Sequence, residues 1–236
     1  MTTARRRPWP GVAFVLLLAL GAVFRQPAPA AARTTAAIAP ATREIAYGPD
    51  PAQRFDVYLP NTPLQAGMNG TPTIFYVHGG GWRRGDKAMR GLIAAKQKRW
   101  TAAGAIVISA KYRMLPDTDP LEQARDIARA VAKAQDTVAS LGGDPDGFVL
   151  MGHSAGAHLI GLLAASPTMI RQAGVKPWRA SVLLDGGAID TEATMQGRNL
   201  PLFENAFGKD PAYWRAASPL AQLNANISMS LVRQKH

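Results

Sequence analysis

The chain has 236 residues, with 27 Lys and Arg against 16 Asp and Glu, 47% apolar residues, four histidines and no cysteine. That length suits one large domain around a single core, and the apolar share excludes a disordered chain. The lack of cysteine excludes a disulfide framework, a thiolate nucleophile and any Cys-ligated zinc or iron–sulfur centre.

The formal charge of +11 is unevenly spread. Arg5, Arg6, Arg7 and Arg25 fall in the first 32 residues, which hold no acid, and the rest of the chain carries 23 basic against 16 acidic groups. Seven cations lie between Arg83 and Arg99, with Asp86 the only acid among them. This run reads as a solvated helix face or as an attractor for anionic ligands. No basic–aromatic alternation accompanies it, and nucleic acid is not expected as a partner.

Residues 1–32 read as a secretory signal peptide. A basic stretch, Arg5–Arg7, precedes an apolar run over 12–24, and small residues around Ala28, Ala30 and Ala32 offer cleavage sites. The run is shorter than the ~20 residues that span a bilayer, so no stable membrane span is expected after cleavage. The mature protein is expected to be exported, to the periplasm or beyond, with 33–42 as an Ala/Thr/Pro-rich linker and 43–236 as the folded domain.

Two short alternating runs, 44–47 and 55–59, read as an antiparallel sheet edge. Four unbroken apolar runs follow, over 73–77, 105–110, 148–151 and 181–184; strands without alternation are buried on both faces. Helical periodicity occupies 89–103, 121–141 and 155–165. Asp119 and Pro120 provide an N-cap and a first-turn proline for the second helix, and Gly142-Gly143 a stop. Strands alternating with helices imply a three-layer α/β sandwich with a mostly parallel sheet. Residues 191–220 break this rhythm and read as a surface insertion covering a site. A last strand is expected over 227–232.

Two glycine-rich turns carry the chemistry. Gly152-His153-Ser154-Ala155-Gly156 follows one buried run and opens a helix, the setting that a G-x-S-x-G nucleophile elbow requires. His78-Gly79-Gly80-Gly81-Trp82 follows another run. There the backbone N–H groups of Gly80 and Gly81, with that of Ala155, can form an oxyanion hole for a carbonyl attacked by Ser154. Trp82 reads equally as pocket wall or as core. His153 and His158 are five apart and face different sides of a helix, and no G-x-G-x-x-G is present, so neither metal nor nucleotide cofactor is expected.

With these motifs the sequence resembles the carboxylesterases and lipases of the α/β-hydrolase group, in particular the feruloyl-esterase-like and hormone-sensitive-lipase-like branches. The likeness rests on His78–Trp82, Lys111-Tyr112-Arg113, Gly142–Asp146, Gly152–Leu159 and Ser218-Pro219-Leu220. It implies a metal-free serine hydrolase that cleaves small-molecule esters through an acyl-enzyme on Ser154. It also implies an acid and then a histidine downstream of Ser154.

Of the downstream histidines, His158 belongs to the elbow helix and is expected to point away from the pocket, and His236 is terminal. The downstream acids are Asp185, Asp190, Glu192, Glu204 and Asp210, whereas the family's acid follows a later strand. The expectation is therefore a C-terminally incomplete hydrolase domain lacking its last strands and helix, with the triad acid and histidine lost by truncation. Such a sheet is expected to expose an edge and to be poorly stable. The alternative is an inactive pseudo-hydrolase or gene fragment that at most binds a ligand.

Overall fold

The computed structural model describes residues 43–62, 70–197 and 200–225; the expected signal peptide, the linker and the strand over 227–232 lie outside the described residues. The six strands among the described residues form one sheet in the order β1-β2-β4-β3-β5-β6. They are β1 (Arg43–Ala46), β2 (Arg54–Tyr58), β3 (Thr71–Val77), β4 (Ile106–Ala110), β5 (Gly143–His153) and β6 (Ala180–Leu184). The expected antiparallel edge is present, because β2 runs antiparallel to both β1 and β4, while β4, β3, β5 and β6 are mutually parallel.

Successive residues of each strand face opposite layers. Phe75 and Val77 of β3 enter the larger core with Ile106, Ile108, Phe148 and Leu150. Their neighbours Ile74 and Tyr76 enter the smaller one with Tyr58, Val107 and Met151. The smaller core is roofed by α1 (Arg90–Ala102) through Ile93, and the larger by α2 (Pro120–Val138), α3 (Ala155–Ala165) and α4 (Pro167–Ala173). This is the three-layer arrangement that the strand–helix alternation predicts.

Helix α2 shows how local sequence sets an element. The Asp119 carboxylate accepts from the N–H groups of Leu121 and Glu122, and Pro120 opens the helix. Ile127, Val131 and Val138 are fully buried on its inner stripe, each contributing about 1.5–3 kcal/mol of burial. After a 3-10 turn at Ala139–Leu141 the chain leaves through Gly142 in the left-handed region, at φ 78°, where glycine avoids the steric penalty of a Cβ. The same inner face carries a buried carboxylate, Asp126. It accepts from Nε and Nη2 of Arg113 at 2.9 and 2.8 Å and from Nε2 of Gln53 at 2.8 Å, with Arg129 a further partner. This hub ties the segment after β4 to the helix that follows it.

The structure departs from the sequence reading in three places. β5 starts at Gly143, well before residue 148, because Gly143 pairs with Thr71 ahead of an irregularity in the ladder. Helix α4 has no counterpart in the periodicity; it is a single short segment started by Ser166, whose hydroxyl accepts from Met169 N–H, and by Pro167. Residues 191–220, read only as a surface insertion covering a site, hold secondary structure that the sequence did not show. They contain α5 (Thr191–Gln196), α6 (Pro201–Phe207) and α7 (Pro211–Ala216), and Thr191, Phe207, Ala217 and Ser218 are buried. Each helix is too short to show periodicity, but Asp190 caps α5 and Asp210 caps α7.

Candidate active site

The register of the central strands brings the two glycine-rich turns together. Val77 at the end of β3 is paired with Gly152 near the end of β5, so His78-Gly79 and His153-Ser154 leave the sheet side by side. Ligand sites in open α/β sheets form at these carboxyl ends of parallel strands. The described non-glycine residues with positive φ are Trp82, Ser154, Asp185 and Ala188. They stand in the turns that follow β3, β5 and β6. Strain of this kind, about 1–3 kcal/mol per residue, persists where surrounding structure enforces it and gathers at functional sites.

Ser154 sits at φ 52°, ψ −119° as the N-cap of α3. Its N–H donates to the Leu184 carbonyl at 2.9 Å, and its own carbonyl accepts from Ala157 and His158. The turn is possible only because two glycines let backbones touch. A Cβ on Gly156 would stand 2.3 Å from the Val77 carbonyl oxygen, and one on Gly152 would stand 2.3 Å from that of Gly156. Ala155 is the first helical residue, so its N–H is among the donors without an intrahelical acceptor, at the end of the helix dipole that favours negative charge.

The facing loop is braced from below. His78 is fully buried and stacked on Tyr112, with ring centroids 4.6 Å apart. Its Nδ1–H donates to the Gly79 carbonyl at 2.8 Å, and burial pushes the imidazole below its ordinary value. The Tyr112 hydroxyl donates to the His78 carbonyl at 3.1 Å. The carbonyl of Trp82 accepts from Leu115 N–H at 3.0 Å and from Gln123 Nε2 at 2.9 Å. Gly80 has φ 127°, and its carbonyl accepts from Arg83 and Arg84 N–H, closing the turn.

Trp82 is 2% exposed and belongs to the core. Its ring packs against Phe203 and Phe207 of α6, and its indole N–H donates to Nδ1 of His158. Of the two sequence readings for Trp82, the structure therefore shows the buried one. The ring of His158 bonds the glycine loop through the Trp82 indole and the segment after α7 through Nε2, which bonds the Ala217 carbonyl. Burial lowers the pKa of this imidazole to about 4.

Beside the loop lies a cleft of about 330 Å³, bounded by Gly80 and Gly81, by Arg83 and Arg84, and by Leu115 and Leu202. Ser154 does not line it. Among the described residues no histidine is hydrogen-bonded to the Ser154 hydroxyl: His158 is held by Trp82 and Ala217, His78 by Gly79, and Nδ1 of His153 is buried without a partner. Asp185 is exposed at the end of β6, next to the Leu184 carbonyl that holds Ser154. Three of the other four acids serve elsewhere: Asp190 and Asp210 cap helices, and Glu192 pairs with Arg215.

Sequence reasoning missed Gln123 and Asp126. Gln123 gives no signal in a helix whose inner face is otherwise apolar, whereas an acid on the inner stripe of α2 could have pointed to a buried partner for Arg113.

Residues 55–182, which include both glycine-rich turns, match the BD-FAE family model. The sequence is 34% identical over 117 residues to a probable isoprenylcysteine alpha-carbonyl methylesterase of Oryza sativa subsp. japonica, covering 50% of this chain and 27% of that protein. It is 34% identical over 132 residues to esterase LipC of Mycobacterium tuberculosis, covering 53% of this chain and 30% of that one. The match thus spans less than a third of either relative. Among solved structures, esterase B of Lactobacillus rhamnosis superposes with a TM-score of 0.61 at 26% identity, over 76% of this chain and 59% of its own. A truncated carbohydrate esterase from gut microbiota also reaches 0.61; at 20% identity it supports the fold alone. Matched over more than half its length, both glycine-rich turns included, the chain belongs to the BD-FAE family, within the carboxylesterase group of the α/β-hydrolases.

Proposed function

We propose that the protein is a carboxylic ester hydrolase whose nucleophile is Ser154. The observation that carries this reading is the juxtaposition of a strained Ser154 at a helix N-terminus with the Gly79–Gly81 backbone, set by the Val77–Gly152 register. In the proposed reaction the Ser154 oxygen attacks the ester carbonyl carbon while its proton passes to a general base. The N–H groups of Gly80, Gly81 and Ala155 hold the oxyanion. The bond to the alcohol oxygen then breaks, the alcohol leaves with the proton, and water cleaves the acyl-enzyme to release the acid.

The two curated relatives named above are esterases by name, which supports the reaction class for this chain. His236, the other histidine downstream of Ser154, lies outside the described residues. The test is labelling of the full chain with a fluorophosphonate, alongside hydrolysis of a p-nitrophenyl ester. Labelling and turnover that both vanish in Ser154→Ala support the reading. A chain that neither labels nor turns over overturns it.

A second reading is a ligand-binding pseudo-hydrolase. It is favoured by the engagement of His78 and His158 away from Ser154. Ester binding without labelling would select it.

The proposal extends to export. Arg5–Arg7 and the apolar run over 12–24 support a cleaved signal peptide. N-terminal sequencing of protein from a cell fraction would find a start near residue 31 or 33; an intact Met1 in the cytoplasm would refute this.

A further inference from the structure

We infer that the cleft beside the oxyanion loop is an anion-selecting subsite, and that the favoured esters carry a carboxylate or similar anionic group on an apolar chain. Three observations meet there. First, the cleft is bounded by Gly80 and Gly81, the proposed oxyanion donors, so a molecule held in it lies beside a carbonyl bound at that loop. Second, Leu115 and Leu202 make its walls apolar, and Leu202 is itself 38% exposed, an uncovered aliphatic side chain at the rim. Third, the charged residues that line the cleft are of one sign: Arg83 and Arg84 line it and, among the described residues, no Asp or Glu does, Asn205 being the remaining polar residue.

The surrounding cations show why these two arginines differ. Lys87 is held by Asp56 and Glu44, Lys111 by Asp86, and Arg113 by Asp126. These pairs neutralise the neighbourhood and fix the lysines and Arg113 to the scaffold. Arg83 and Arg84 have no ion-pair partner among the described residues, and both are exposed. Their backbone is nevertheless fixed, since both N–H groups donate to the Gly80 carbonyl. Two exposed arginines thus stand beside the cleft, on a turn hydrogen-bonded to the oxyanion loop. Guanidinium is the side chain best suited to carboxylate, because its fork of donors matches the two oxygens. A purely apolar ester would leave both cations idle; an ester with an anionic end satisfies them while its chain covers Leu115 and Leu202.

This inference deepens the hydrolase reading and rests on it for the statement that the ligand is an ester, but the binding preference can be read without turnover. The test measures binding of hexanoate and of hexanamide, equal in size and differing in charge, to the full chain by ligand-observed NMR titration at low salt. Hexanoate is expected to bind about fivefold more tightly, the size of effect an exposed ion pair supports. The preference should vanish in Arg83→Gln/Arg84→Gln, survive largely in Arg83→Lys/Arg84→Lys, and shrink in the unmutated chain as salt rises to about 0.5 M, where the Debye length is a few ångströms. Lys98→Gln/Lys133→Gln removes the same charge from exposed positions that do not line the cleft, and should retain the preference.

Equal affinities for the two ligands overturn the inference. So does a preference lost equally in both glutamine double variants, which would assign it to the overall field. If fluorophosphonate labelling fails while hexanoate keeps its Arg-dependent advantage, the hydrolytic reading falls and the anion subsite stands.

Discussion

The indole N–H of Trp82 donates to Nδ1 of His158 at 3.2 Å, and an indole can only donate, so the imidazole must carry its proton on Nε2. That proton points to the Ala217 carbonyl at 2.8 Å. One buried ring therefore clamps the glycine loop after β3 to the segment after α7, in a single tautomer.

Removing the donor while leaving the acceptor should be expensive. Trp82→Phe strands Nδ1 of a fully buried imidazole, for a loss of about 1–3 kcal/mol in urea unfolding. His158→Gln removes the other side. Because the two residues are in contact, their effects should fall short of additive by about 1 kcal/mol in the double variant. Strict additivity would show that the bond contributes nothing.

The same ring makes stability depend on pH in a defined direction. Burial lowers the His158 pKa to about 4, below the roughly 6.5 of an unfolded histidine. Between those values the unfolded state binds the proton and the folded state does not, so stability declines as pH falls through that window and levels off below it. The full shift corresponds to about 3 kcal/mol. Burial lowers the His78 imidazole as well, in the same sense. Asp126 acts lower on the scale. Burial alone would raise its carboxyl, but the bonds from Arg113, Gln53 and Arg129 outweigh that and hold it below its ordinary value. Its contribution is therefore lost only in stronger acid. Urea midpoints measured from pH 7 to pH 4 should fall steeply for the natural chain and less steeply for His158→Gln; parallel slopes would contradict the assignment.

Glycine substitutions separate close approach from conformation. Gly156→Ala drives a Cβ to within 2.3 Å of the Val77 carbonyl oxygen and 2.6 Å of that of His78, both rigid backbone. The variant should lose more than about 4 kcal/mol or fail to accumulate as folded protein. Gly142→Ala meets nothing within 4 Å and suffers only from φ 78°, for about 1 kcal/mol. Equal melting temperatures for the two variants would refute the packing account.

Strain at Ser154, the proposed nucleophile, has its own signature. Ser154 holds φ 52°, ψ −119°, which glycine adopts freely and alanine does not. Ser154→Gly should therefore melt about 2–4 °C above Ser154→Ala, with both losing fluorophosphonate labelling. A lower melting temperature for the glycine variant would place the strain elsewhere.

The fold around the two glycine-rich turns was legible in the sequence where it is made of backbone. Both turns follow buried strands as expected, and apart from β5, which starts five residues early, the elements beside them keep their expected boundaries to within a residue or two, as in α3 at Ala155–Ala165. What stayed hidden depends on distant side chains. His158 carries no mark that it will meet Trp82, 76 residues away, and a glutamine in α2 carries none that it will hold a loop carbonyl. The helices of 191–220 escaped notice because six or seven residues make too few turns to show a period.

Gly79 touches the elbow so closely that a methyl group there would stand 2.7 Å from the His153 carbonyl oxygen and 2.9 Å from the Ser154 Cβ. The spacing between Ser154 and the Gly79–Gly81 loop, the proposed nucleophile and oxyanion donors, is thus gauged by close contact at Gly79. Under the proposed reading, side chains around the cleft, Arg83, Arg84 and Leu202 included, can be exchanged to retune which molecule enters without altering that spacing. On that reading selectivity and reactivity are written in separate parts of the chain, and an engineer could rewrite one while leaving the other untouched.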